Sequence, residues 1–199
     1  MILNFTEDTM GVKKPKNQLN IYKEFWSLAN QANDLAQTGN YDVDMLISAW
    51  KHQLIASNFF YGTLVNKEVN HDANKTYYSL KTEPKEHQLV YCQIGRGYSK
   101  ELFDPHWCYV LKHCGTKLIV IPVTSIKPDS GTLTVPYEYD IEEDNNIKAR
   151  MHFDDIRCID KMRILENKGY INIVTPRANI ETAVFNFFNF TEITVDADE

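Results

Sequence analysis

Three short apolar runs within residues 88–126 constrain the fold of this chain more than any other feature. They read LVYCQI, HWCYVL and KLIVIPV, and polar, glycine-bearing connections separate them. Runs of this length, bounded by turn residues, are typical of consecutive antiparallel strands. The long first connection carries charge and a Pro-His pair, and the third run ends in Thr124 and Ser125. Because functional residues concentrate on the loops of a rigid sheet, this region is the first candidate for a site.

A second block, residues 151–164, reads MHFDDIRCIDKMRI and interleaves apolar with ionisable side chains. Apolar–polar alternation predicts a half-exposed strand whose polar face lies in water. A functional surface would equally account for the density of charge, so both interpretations stay open for this block alone.

The N-terminal part has a helical pattern. Leu19, Tyr22, Phe25 and Trp26 recur at three-to-four spacing, and Gly39 follows as a helix stop. A second stripe begins at Leu46, and a short Gly-Asn link joins the two. We therefore predict a flexible N-terminus over 1–17, a helical hairpin over 18–66 and a polar linker over 67–87.

The remainder predicts a small α+β barrel domain over 88–191, followed by an acidic tail over 192–199. Further strands are expected at 132–135 and 170–174, and Thr175-Pro176 opens a terminal helix. Many short strands separated by turns are typical of a small, strongly bent antiparallel barrel. The acidic run at 138–144 is expected to be a solvated loop.

Composition excludes some classes of protein. No apolar run approaches the roughly 20 residues that a membrane span requires, and the N-terminus has no secretory pattern, so we expect a cytoplasmic protein without a membrane partner. The six histidines lack ligand spacing, so neither a metal nor another cofactor is expected. A net charge of −6 disfavours a broad nucleic-acid surface, although basic residues in the motif region leave room for a local basic cleft.

Three segments, taken in order, resemble the PemK/MazF family of endoribonuclease toxins from toxin–antitoxin systems. They are KELFDPHWCYVL (100–111), IPVTSI (121–126) and DDIRCIDKMRI (154–164). The resemblance runs from residue 88 to the C-terminal helix. It implies an SH3-like barrel that forms a homodimer, and an antitoxin protein that occludes its RNA groove. It also implies metal-independent cleavage of single-stranded RNA, in which the 2′-hydroxyl attacks the adjacent phosphate to give a 2′,3′-cyclic phosphate.

The same resemblance implies the catalytic candidates. His106 falls at the family's Pro-His or Arg-Pro position and could act as acid, base or phosphate donor, or could simply begin a strand. Thr124 could hold a phosphate oxygen, or could cap the strand end. Asp154 matches an acidic position that is a general base in some members. His152 precedes it by two residues, so in a strand both would face one side, as an acid–base couple or as a surface ion pair.

Five residues are candidates for RNA binding: Lys100, Glu101, Phe103, Ser125 and Arg157. Arg157 could instead be a structural partner of a nearby aspartate. Leu102, Phe103 and Asp104 stand where the family has glycines, and no arginine stands at position 106, so charge stabilisation would fall to a protonated His106 or to Arg96. The competing hypothesis is therefore a catalytically inactive RNA- or protein-binding module, for example of a phage or mobile element.

Overall fold

The computed structural model describes residues 18–67, 71–98, 100–133, 135–144 and 146–188. The flexible start predicted over 1–17 and the acidic tail predicted over 192–199 lie outside these residues. The chain divides into two compact units, Met1–Asp44 and Met45–Glu199.

The first unit contains helix α1, Gln18–Gln37. The helix ends before Gly39, whose φ of 66° lies in the left-handed region that glycine adopts without strain. Both the predicted helix and its glycine stop are therefore confirmed. Large side chains stay exposed on α1, among them Tyr22 and Trp26.

The second unit begins within helix α2, Val43–Phe59, which runs directly into a π-helical turn, Phe60–Leu64, and a last short helix α3, Val65–Lys67. The predicted second helix is thus confirmed, and its C-terminal part has a backbone geometry that periodicity did not foresee. The arrangement of the two long helices as a hairpin stays a prediction.

Within the described residues, seven antiparallel strands form one sheet, and helix α4 (Arg177–Phe188) follows them. The path through the sheet is β4-β5-β3-β2-β1-β7, and β6 pairs with β3 beside this path. The strands are β1 (Gln88–Gln93), β2 (Pro105–Cys114), β3 (Lys117–Ser125), β4 (Glu138–Glu142), β5 (Lys148–His152), β6 (Arg157–Asp160) and β7 (Tyr170–Asn172).

The sheet curls until its first and last strands meet. The backbone N–H of Val174 donates to the carbonyl of Glu142 at 2.8 Å, and that of Asp144 donates to Asn172 at 3.2 Å. Between these bonds, Glu143 and Ile173 form an isolated antiparallel bridge. The chain is therefore a mixed α/β protein with a curled antiparallel sheet; the SH3-like topology stays a prediction.

Both faces of the sheet are covered over most of its area. On the first face, Tyr109, Ile121 and Met151 are fully buried, together with Ile180 of α4. On the second face, Val90, Val110 and Val120 are fully buried. Residues on the two faces alternate along each strand, as a pleated strand requires.

Residues 71–87, expected from their polarity to be a linker, lie against the sheet. Leu80 joins the core of the second face. The side chain of Glu166 accepts a hydrogen bond from the backbone N–H of Lys81 at 2.8 Å and from the hydroxyl of Tyr78 at 3.4 Å. A few apolar side chains and one carboxylate thus fix a segment whose overall composition is polar.

Three local expectations were wrong. The acidic run at 138–144 is not a solvated loop, because most of it is β4, with Ile141 buried. The expected strand at 132–135 is absent among its described residues, 132, 133 and 135. The block at 151–164 is not one continuous strand, since β5 ends at His152 and 3-10 turns follow at Phe153–Asp155 and Lys161–Arg163.

Candidate functional site

Polar side chains replace apolar ones at one end of the second face. In the strand registers, Thr124 on β3 pairs with Arg150 on β5, and Arg150 pairs with Asp140 on β4. The β2–β3 register pairs Trp107 with Val123, so one further step places His106 opposite Thr124. Directly opposed residues of neighbouring strands project from the same face. His106, Thr124, Arg150 and Asp140 therefore form one transverse row.

A cavity of about 500 Å³ opens beside this row. His106, Thr124 and Ser125 line it, so three residues that the sequence predicted separately come together there. Two aromatic side chains, Tyr91 and Trp107, also line it, and their ring centroids lie 5.2 Å apart. The remaining lining residues are Pro105, Val123, Lys127 and Ser130.

Thr124 connects this cavity to His152. The Oγ1 atom of Thr124 lies 2.8 Å from Nε2 of His152. On the other side of the imidazole, Nδ1 lies 3.7 Å from Oε1 of Glu138. The carboxylate of Glu138 favours a proton on Nδ1, which leaves Nε2 free to accept the hydroxyl proton of Thr124. The result is a hydroxyl, an imidazole and a carboxylate in line.

Burial controls the charge of His152. Burial lowers the pKa of His152 below its usual range. The nearby carboxylates of Glu138, Asp154 and Asp155 raise this pKa, but their combined effect is smaller than that of burial. A neutral imidazole is therefore the form present at neutral pH, and it is the form that can accept a proton.

Carboxylates hold Arg150 at the same end of the sheet. Its Nε and Nη2 atoms donate to the two carboxylate oxygens of Asp140 at 2.8 and 3.2 Å. Its Nη1 atom lies 3.4 Å from Oε2 of Glu138, the carboxylate that also faces His152. Glu138 therefore joins the arginine and the histidine in one network.

The loop that precedes β2 positions His106. Asp104, with a φ of 65°, donates its backbone N–H to the carbonyl of Gly95 at 2.8 Å. Its carboxylate accepts hydrogen bonds from Nε and Nη2 of Arg96 at 2.7 and 2.6 Å. Its carbonyl oxygen lies 3.5 Å from Nδ1 of His106. Arg96 thus supports the loop that precedes His106, and its role at a phosphate stays a prediction.

Phe103 and Arg157, both candidates for RNA contact, have partners within the protein. The guanidinium carbon of Arg96 lies 4.4 Å from the centroid of the Phe103 ring and covers one of its faces. Arg157 pairs with Asp155 at 2.6 Å, and Asp155 also accepts the backbone N–H of Leu102 at 3.0 Å. These contacts favour the interpretation of Arg157 as a structural partner of an aspartate.

Lys100, Glu101 and Asp154 lie outside the cavity. Lys100 and Glu101 are exposed on the loop before β2. Asp154 is exposed on the turn after β5, so the expectation that it shares a strand face with His152 is wrong, because the strand ends at His152. Asp154 acts on His152 only through its charge.

Sequence reasoning missed Glu138, Asp140 and Arg150 as members of the site. A signal was present, because Glu138, Asp140 and Glu142 alternate with Tyr139 and Ile141 in the pattern of a strand. No local pattern in the sequence marks Tyr91 and Trp107 as lining residues, because the β1–β2 pairing brings them together.

The described residues contain neither a candidate metal site nor a candidate membrane-spanning helix. No three His, Cys, Asp or Glu side chains in that part of the chain converge as a metal site requires. None of its helices combines the length and the apolar character needed to cross a bilayer.

No protein-family model matches the chain, and no curated protein matches it either. Sixteen solved chains match it in structure. One of them is described as an endoribonuclease in complex with its cognate antitoxin from Mycobacterial species. That similarity has a TM-score of 0.41 and 16% sequence identity, and it covers 55% of this chain and 98% of the other.

Proposed function

We propose that this chain is a metal-independent endoribonuclease of the toxin type, which cleaves single-stranded RNA at the cavity beside His106 and Thr124. The observation that carries the proposal is the line of Thr124, His152 and Glu138, with His106 opposite Thr124 on the neighbouring strand. RNA cleavage by internal attack needs one group that removes a proton and another that supplies one. Both types of group converge here.

In the proposed reaction, the 2′-hydroxyl gives its proton to Oγ1 of Thr124 as Thr124 passes its own proton to Nε2 of His152. The 2′-oxygen forms a bond to phosphorus, and the bond from phosphorus to the 5′-oxygen breaks. The protonated imidazole of His106 gives its proton to the leaving 5′-oxygen. The products are a 2′,3′-cyclic phosphate and a 5′-hydroxyl, and Glu138 stabilises the imidazolium that forms on His152.

The lining of the cavity suits an unpaired RNA strand. Tyr91 and Trp107 offer aromatic faces for bases, and stacking of this kind tolerates any base. Lys127 supplies a positive charge, and Ser125 and Ser130 supply hydroxyl donors for phosphate oxygens. Selectivity for an RNA sequence, a homodimer and an antitoxin that covers the cavity complete the proposal.

A second candidate function is RNA or protein binding without cleavage. It is favoured by the pairing of Arg150 with both Asp140 and Glu138, which neutralises the strongest positive charge of the site. Phosphate binding draws most of its affinity from unneutralised Lys and Arg, so this pairing weakens the case for a catalytic phosphate site.

Incubation of the full chain with a long single-stranded RNA in EDTA, followed by end-group mapping, separates the two functions. The catalytic proposal expects discrete cuts that end in 2′,3′-cyclic phosphate. Replacing His152 with Ala should slow these cuts by roughly 10²- to 10⁴-fold, the usual contribution of a general base. His113→Ala is the matched control, because His113 pairs with Glu83 away from the cavity.

The His152→Ala protein also controls for a contaminating ribonuclease, which could leave the same end groups. Cuts that persist unchanged in the His152→Ala protein would contradict the catalytic proposal. Intact RNA that nevertheless binds to the protein would favour the second function.

A further inference from the structure

A second cavity, of about 400 Å³, lies between α2 with its π-helical turn and the end of β1. All of its lining residues belong to the unit Met45–Glu199. Trp50, Phe60 and Tyr61 supply aromatic surface, and Gln53, Gln93 and Arg163 supply hydrogen-bonding groups. Ligand cavities typically combine this volume with apolar walls and a few polar groups.

The backbone beside this cavity is unusual. The helix changes from α to π geometry at Phe60–Leu64, and two of the aromatic lining residues lie in that turn. Single π-helical turns are rare and occur frequently at functional sites. Trp50 and Tyr61 leave 38% and 50% of their surfaces exposed to solvent. Exposing neighbouring large aromatic side chains costs free energy, and such patches mark ligand or interaction sites.

Arg163 gives the cavity a positive charge, and Asp160, whose carboxylate accepts the backbone N–H of Met162 at 2.8 Å, adds a negative charge to the same lining. The guanidiniums of Arg96, Arg150, Arg157 and Arg177 each pair with a carboxylate. Arg163 is the remaining arginine of the chain, and its one hydrogen bond to a described residue goes to the carbonyl of Gln93 at 3.1 Å. No carboxylate of a described residue pairs with it, so the positive charge is available to an anionic ligand.

We propose that this cavity binds one unpaired nucleotide, with its base against Trp50 and Tyr61 and its phosphate at Arg163. Aromatic faces and a planar, unneutralised guanidinium are the groups that recognise a base and a phosphate together. The side chains of Gln53 and Gln93 can donate to and accept from base edges. A free nucleotide and a nucleotide of an RNA strand share this chemistry.

The RNA strand is the favoured source, and in this respect the inference rests on the proposed function. Tyr91 lines the cavity beside His106, and Gln93, two residues further along β1, lines the second cavity. Two residues of a strand span roughly 6.6 Å. A strand cleaved at the first cavity therefore reaches the second with a neighbouring nucleotide.

The test measures binding apart from cleavage. The full chain carrying His152→Ala is titrated in EDTA with a labelled single-stranded RNA, and separately with AMP and UMP. Trp50→Ala should weaken RNA binding about tenfold, within the range of base-stacking losses. Arg163→Gln should weaken it too, and should lower the slope of log affinity against log salt by about 0.7 in magnitude.

Matched controls lie on the same helix. Ile55→Ala removes an exposed apolar side chain, and Lys51→Gln removes an exposed charge, and neither residue lines the cavity. Both should leave the affinity and the salt slope unchanged. Trp50→Phe and Arg163→Lys should restore most of the affinity, which a protein damaged in its fold would not do.

The outcomes of this test and of the cleavage test are distinguishable. RNA that is cut by the parent protein, but bound equally by the Trp50→Ala and Arg163→Gln variants, would overturn the nucleotide site and leave the proposed function intact. Binding of AMP or UMP that Trp50→Ala abolishes, with no RNA binding or cleavage, would support the site with a free nucleotide and overturn the proposed function. Binding of neither probe would overturn the site.

Discussion

The hydroxyl of Thr124 lies 2.8 Å from Nε2 of His152, although the backbone partner of Thr124 is Arg150. The contact is therefore diagonal across two antiparallel strands, and it joins the end of β3 to the last residue of β5. A diagonal pair of this kind fixes the rotamers of both side chains while both strands keep their regular geometry.

Replacing Thr124 with Val should abolish most of the RNA cleavage. Valine keeps the shape of threonine but removes the hydroxyl that, in the proposed reaction, passes a proton to His152, so we expect the rate to fall by roughly 10²-fold or more. Thr124→Ser keeps the hydroxyl and should retain most of the activity. Initial rates of cleavage of a defined RNA in EDTA measure both, and a Val variant as fast as the parent would exclude Thr124 from proton transfer.

Replacing Glu138 with Gln should shift the acid limb of the pH–rate profile to lower pH. The pKa of His152 already lies below its usual range because of burial, and the charge of Glu138 raises it. Removing that charge lowers the pKa further, so the neutral imidazole persists into more acidic solution. Titration of the His152 ring protons by NMR gives the shift directly, with Glu101→Gln as an exposed carboxylate control. A shift to higher pH would contradict the arrangement described here.

Asp104→Asn should destabilise the chain by about 3 kcal/mol, since it removes the bidentate carboxylate that pairs with a buried guanidinium. The side chain of Arg96 is only 4% exposed, and its pair with Asp104 is bidentate. Asparagine tolerates the positive φ of this position, so the loss reports on charge more than on backbone strain. Urea unfolding measures it, and Asp129→Asn, at an exposed position, should change the free energy of unfolding little.

Glu86→Gln should destabilise the chain at neutral pH but not in strong acid. Hydrogen bonds from the backbone of His113 and from Arg177 and Lys112 lower the pKa of Glu86 to about 2. The folded pKa is depressed, so the contribution is complete above the unfolded pKa of about 4.3 and is lost as the pH falls through about 2. Thermal unfolding from pH 7 to pH 2 should show the parent and variant midpoints converge. A constant gap across that range would point to packing in place of charge.

Ile180→Ala should cost roughly 2–5 kcal/mol, the usual range for deletion of a fully buried aliphatic side chain. Ile180 has no exposed surface and joins α4 to the first face of the sheet. Phe185→Ala, on the same helix but 60% exposed, should cost far less despite the larger truncation. Equal losses in the two variants would mean that α4 does not pack as described.

The strands that were predicted correctly, β1, β2, β3 and β7, coincide with short apolar runs in the sequence. The runs of β1, β2 and β3 are buried on both faces, and a run of that kind between turn residues specifies a strand without further context. The opening of α4 by Thr175 and Pro176 was equally visible, because a proline in the first turn removes an N–H that has no helical partner.

The rest of the fold depends on distant residues. β4 is an acidic segment that becomes a strand because Glu138 and Asp140 meet Arg150 and His152 across β5. The break at His152 and the π-helical turn at Phe60–Leu64 have no signal in hydrophobic periodicity. In β4, pairing with β5 outweighs the low strand propensity of acidic residues.

The site likewise combines residues that short sequence segments indicate with residues that only strand pairing brings in. His106, Thr124, Ser125 and His152 were selected from their types and positions, and the structure brings three of them to one cavity and hydrogen-bonds the fourth to Thr124. Glu138 and Arg150 could be connected to them only through strand pairing, because no short segment of the sequence predicts which residues of two strands lie opposite each other. The roles of these residues in a reaction stay predictions.

Position along β3 separates the residues that maintain the fold from the residue to which we assign a role in the proposed reaction. Leu118, Val120 and Pro122 of this strand hold the second face together, and Thr124 follows them in the same series but beyond the apolar core. Substitutions at the polar end of β3 can therefore be accepted without destabilising the sheet. Apolar positions of the strand also tolerate substitutions that conserve side-chain volume. A scaffold of this type can change its substrate, or lose its reaction altogether, while its shape persists.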